Sequence, residues 1–71
     1  MKTKKLEIYQ ENGEFIIKRT NEFGTPLISR YATENGLKES IQHYKRHVAL
    51  DEYEIDVDES LWALVINELS K

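Results

Sequence analysis

The chain has 71 residues, with 10 Lys and Arg against 13 Asp and Glu, a formal net charge of −3, 39% hydrophobic residues and no cysteine. That length holds one domain at most, read as a single domain over residues 1–71, and the absence of cysteine excludes a disulfide staple, a zinc ribbon and a thiol nucleophile. A core of this size supplies only about 3–5 kcal/mol, so good packing or association with another chain has to complete it.

The start, Met1-Lys2-Thr3-Lys4-Lys5, has the charge of a signal n-region, but Glu7 and Gln10 interrupt any apolar run behind it. No segment approaches the ~18 apolar residues of a membrane span, and a cytoplasmic protein with no membrane contact is expected. The charge is unevenly placed. Residues 1–50 carry nine Lys/Arg and six Glu, whereas residues 51–71 carry seven Asp/Glu and one Lys.

Leu6 to Gln10 alternates as a half-buried strand does, and Asn12-Gly13 behind it suits a two-residue type I′ hairpin. Pairing across that turn sets Ile8 against Ile17 and Glu7 against Lys18, with Glu11 opposite Glu14 as a small cost. Asn21-Glu22-Phe23-Gly24 has the residues of a type I turn closed by a Gly bulge, which starts a third strand at Pro26, an edge position. The result is a three-stranded antiparallel meander over residues 4–31, with Leu6, Ile8, Phe15, Ile17, Leu27, Ser29 and Tyr31 on one face. The other face, with Tyr9, Ile16, Lys18, Ile28 and Arg30, is expected to be exposed.

Thr33 or Asn35 caps a helix whose apolar stripe is Leu37, Ile41, Tyr44 and Val48. Tyr53, Ile55 and Val57 then alternate with Glu52, Glu54, Asp56 and Asp58, a short strand with an acidic outer face suited to a sheet edge. Asp58 caps a last helix, from about Glu59 to Leu69. Its apolar residues Leu61, Trp62, Leu64, Val65, Ile66 and Leu69 span roughly 200° of arc, about twice what a surface helix needs, with Glu68 as the polar interruption. The predicted fold is α+β, in the order βββαβα.

His43 and His47 stand at i and i+4 with Glu39 one turn earlier, a spacing that seats zinc or nickel if a further ligand comes from Asp51 or a second subunit. Tyr44 follows His43 where the metalloprotease motif needs Glu, and the pair is read as part of a solvated helix face, with no metal expected. The run Asp51–Glu59 holds six carboxylates, but a calcium loop beginning at Glu54 places Glu59 where Gly is needed and Val65 where Glu is needed. Glycine occurs only at Gly13, Gly24 and Gly36, so phosphate-cradling loops are absent, and no serine sits in a nucleophile elbow. No catalytic residue and no cofactor are expected, and Trp62 reads as a core or interface anchor.

Two association surfaces are expected instead. The leading one is a homodimer, or a contact with another protein, through Leu61, Trp62, Val65, Ile66 and Leu69. The alternative is nucleic-acid binding through Lys18, Arg19, Arg30, Lys38, Lys45 and Arg46. A third contact sets the basic half of one molecule against the acidic segment of another. The element order of Glu14 to Val48, an Asn/Gly-turned hairpin and a Thr-capped helix, is similar to that of integrase arm-binding domains, which implies DNA contact through the sheet face. That face differs here in carrying two charges among three apolar residues. The Lys/Glu/Ile/Asn-rich style of the chain, as in Lys4-Lys5-Leu6-Glu7-Ile8-Tyr9, resembles small proteins encoded by prophages of Gram-positive bacteria. The resemblance implies a cytoplasmic host and transfers no site residue.

Overall fold

In a computed structural model, residues 4–71 are described; the basic start at residues 1–3 lies outside them. Strands β1 (Lys4–Glu11) and β2 (Glu14–Thr20) form the first hairpin, turned by Asn12 and Gly13, both at positive φ. Ile8 faces Ile17, Glu7 faces Lys18 and Glu11 faces Glu14, the expected register. Strand β3 (Pro26–Tyr31) pairs antiparallel with β2 across a turn in which the Gly24 amide donates to the Asn21 carbonyl at 3.0 Å. The Asn21 side chain also accepts from the Phe23 and Thr25 amides, so the loop's orphan donors are satisfied locally.

The meander is only part of the sheet. Strand β4 (Tyr53–Val57) adds to the open side of β1 and runs parallel to it, giving a mixed four-stranded sheet in the order β3-β2-β1-β4. Helix α1 (Glu34–His47) connects β3 to β4 and therefore crosses from one sheet edge to the other, as a connection between parallel strands must. Thr33 caps α1 by accepting from the Gly36 amide at 3.1 Å, and the Tyr31 hydroxyl, 2.6 Å from Ser40 Oγ, ties β3 to the helix. A short 3₁₀ turn at Leu50–Glu52, unmarked in the sequence pattern, leads into β4.

The last helix begins later than its sequence suggests. Asp58 caps a 3₁₀ turn, Glu59–Leu61, through the Ser60 amide, and α2 proper is Trp62–Leu69. It packs beside α1, and the two helices cover one face of the sheet. The core is Leu6, Ile8 and Ile17 from the strands, Leu37, Ile41 and Tyr44 from α1, Tyr53 from β4, and Leu61 and Val65 from the last segment. No helix among the described residues is long and apolar enough to cross a membrane.

The far face of the sheet departs from expectation at one residue. Ile16, expected to be exposed, is fully buried although it lies outside the main core. Its cross-strand neighbours are Tyr9 and Arg30, whose long side chains can cover a residue between them while keeping their polar ends in water.

Two substitutions measure this architecture. Ile17→Ala empties a site closed from both layers and should cost about 2–5 kcal/mol in urea unfolding. Gly24→Ala meets no atom within 4 Å, but its φ of +81° strains any side chain, and the cost should be about 1 kcal/mol.

Candidate interaction surface

The apolar arc of α2 divides into two stripes. Leu61 and Val65 point into the chain's own core, and Glu68 continues that stripe at 3% exposure. Leu64 and Leu69 are half-buried against the core. Trp62 and Ile66, one turn apart, remain 59% and 52% exposed. Of the five residues expected to form the interface, two are therefore interior, one is partly covered and two are free.

Burial of Glu68 is the least anticipated part of the surface. In the sequence it reads as a break in an apolar arc; in the fold it locks the end of α2 to α1. Gln42 of α1 donates to the Glu68 carbonyl at 2.8 Å and to its carboxylate at 3.2 Å, while Lys71 Nζ lies 2.8 Å from the other carboxylate oxygen. The Lys45 side chain donates to the Lys71 carbonyl, adding a second tie between the two helices. The Lys71 ammonium holds the Glu68 carboxyl below its ordinary value against the opposing effect of burial, with Gln42 and the charge of Lys38 assisting. The i, i+3 spacing of Glu68 and Lys71 was readable from the sequence; the facing Gln42 was not.

The six basic residues proposed for nucleic acid are not gathered on one face. Lys18 and Arg30 lie on the far side of the sheet, and Arg30 is 3.9 Å from the Glu14 carboxylate. Arg19 is on the helix side, its guanidinium 5.6 Å from the centre of the Tyr44 ring. Lys38, Lys45 and Arg46 are on α1, on the side that borders α2: Lys38 and Arg46 line one hollow with Glu68, and Lys45 reaches Lys71. Carboxylates are interspersed throughout: Glu7 beside Lys18, and Glu54 and Asp56 across from Lys5 and Glu7.

His43 and His47 are exposed with ring centroids 4.8 Å apart. Among the described residues no three His, Cys, Asp or Glu side chains converge to hold a metal ion. The acidic run is laid along the sheet edge. Glu52 pairs with Lys4 at 2.8 Å, an exposed ion pair that lowers the carboxyl and raises the amine from their ordinary values. Lys4 also lies 5.5 Å from the Tyr53 ring. Asp58 is spent on its cap, and Asp51, Glu54, Asp56 and Glu59 are open to solvent.

Neither a scan against protein-family models nor searches of curated proteins and of solved structures finds a match to this chain.

The lowered Glu68 carboxyl sets a pH dependence. A carboxyl whose folded value lies below its unfolded value contributes stability above about pH 4.5, and this is lost as pH falls through the folded value. The gap in unfolding midpoint between the wild type and Glu68→Gln should therefore narrow as a urea series moves from neutral pH to below that point.

Proposed function

We propose that this chain is a non-enzymatic, cytoplasmic interaction module that works as a homodimer through α2. The observation that carries the reading is the exposure of Trp62 and Ile66, 59% and 52%, on a helix whose opposite stripe is already committed to the core. Fully burying a large apolar side chain is worth roughly 1.5–3 kcal/mol. A two-fold contact counts each residue twice, because the same patch serves both subunits. Trp is also the residue type most often found at the energetic centre of an interface. Ile55 on the neighbouring β4 edge, 39% exposed and lining the same surface hollow as Trp62, extends the patch.

The absence of cysteine fits a reducing compartment. Catalysis has little to draw on: the open acidic side chains are solvated, and the apolar hollow walled by residues such as Leu6, Ile41, Tyr44 and Val65 has a volume of only about 10 Å³, too small for a substrate.

Light scattering at high micromolar concentration should show a mass of at least a dimer, and Trp62→Ala should lower that association at least tenfold while leaving the circular dichroism spectrum unchanged. A wild-type monomer at that concentration, or an unchanged mass in the variant, would overturn the reading.

A further inference from the structure

Both ends of the sheet are open among the described residues, β3 on one side and β4 on the other. They are chemically opposite. The β3 edge carries Leu27, Ile28 and Arg30, the two apolar side chains 54% and 50% exposed. The β4 edge carries Glu54, Ile55 and Asp56, with Asp51, Glu52, Asp58 and Glu59 close by in sequence.

The ladder bonds show which backbone groups face outward. The Asn21 amide donates to the Thr25 carbonyl, so alternation along the antiparallel pair turns Leu27, Ser29 and Tyr31 toward β2 and leaves the amides and carbonyls of Ile28 and Arg30 on the open edge. On the other side, the Asp58 amide donates to the Ile8 carbonyl, so Glu54 and Asp56 face β1 and the backbone groups of Ile55 and Val57 are free.

We infer that these edges are the two halves of one interface, through which copies of the chain add head to tail, β3 of one against β4 of the next. Direction agrees: β3 and β4 both run parallel to β1, so a second copy placed beside the first in the same orientation presents β3 parallel to β4. Register agrees as well. With Ile28 opposite Glu54 of the next copy, its amide and carbonyl meet the Tyr53 carbonyl and the Ile55 amide. Arg30 then falls opposite Asp56, bonded in the same way to Ile55 and Val57. On the helix side Leu27 lies beside Tyr53, and Tyr31 beside Val57. Pro26, which lacks an amide, falls at the margin of the shared ladder, where its loss is least felt.

Charge supplies the third support. Within one copy Asp56 is the register partner of Glu7, like charge against like, and among the described residues it forms no ion pair. Arg30 of the next copy would put a cation on its free side. Pairing β4 with β4 about a two-fold axis instead sets Glu54 against Asp56, which disfavours that symmetric alternative, and pairing β3 with β3 leaves Asp56 without its cation. A heterologous contact of this kind grows into a ring or a filament according to whether its rotation closes. The contact differs from the α2 homodimer in resting on backbone pairing and on Arg30 and Asp56, although Ile55 borders both surfaces and shares a hollow with Trp62.

The test is sedimentation velocity on wild type, Arg30→Glu, Asp56→Arg and an equimolar mixture of the two variants. Wild type should form concentration-dependent species larger than a dimer, and each variant alone should lose them, with association weakened at least tenfold. The mixture should regain them, because each variant then finds an oppositely charged edge. In wild type, amide exchange at Ile28, Arg30, Ile55 and Val57 should slow as concentration rises. No species beyond a dimer in wild type, variants that assemble as wild type does, or a mixture that fails to recover although both variants are folded, would each overturn the inference. The charge swap separates the two readings: Trp62→Ala should weaken the α2 dimer at least tenfold, whereas only the edge assembly should be lost in Arg30→Glu and Asp56→Arg alone and regained in their mixture.

Discussion

Everything in this fold is arranged around β1 having a neighbour on both sides. Once β4 lies parallel to β1, the chain leaving β3 must travel over the sheet to reach it, and α1 is the segment that does so. The same placement puts Leu6 and Ile8, each 3% exposed, at the middle of the lower layer. With α1 lying across the sheet, the short segment after β4 has one place left to settle, beside α1 and over Leu6 and Ile8. The final helix is thus docked by what precedes it, which explains why an eight-residue element persists at a length that is marginal in isolation.

That docking has a polar component as specific as its apolar one. Leu61 and Val65 supply the burial, but they do not by themselves settle how the end of α2 meets α1. Gln42, Glu68, Lys71 and Lys45 do, through bonds to side chains and to the last backbone carbonyls. Carbonyls at a helix end have no partner within the helix, so capping from a neighbouring helix is worth as much for satisfying them as for holding the pair together. An arrangement that relied on apolar contact alone would leave the choice between the Leu61/Val65 stripe and the Trp62/Ile66 stripe far more open.

The two sheet edges show the protein using charge in place of cover. β4 is short, carries acidic residues on its outer side and so resists pairing with itself, the usual protection of an exposed edge. β3 has Pro26 at its start and Arg30 near its end. The β4 edge is thus shielded by its carboxylates, whereas the β3 edge carries one cation, Arg30, beside the exposed Leu27 and Ile28.

Much of this was legible in the sequence. The Asn12-Gly13 turn sets the β1–β2 register, since a two-residue loop leaves no other pairing; Thr33 starts α1, and the alternation of Tyr53, Ile55 and Val57 makes a strand, all from short-range stereochemistry. What was not legible depended on residues far apart in the chain. The direction of β4 is set by where α1 delivers it, and Ile16 is buried in the middle of a strand flanked on both sides by others. Whether Glu68 is solvated or interior depends on Gln42, 26 positions away. Local chemistry therefore determined which elements form and which of their faces are apolar. Only the tertiary structure decided which apolar residues the chain covers for itself and which, Trp62 and Ile66 among them, it leaves in solvent, because that depends on the area one layer can offer another.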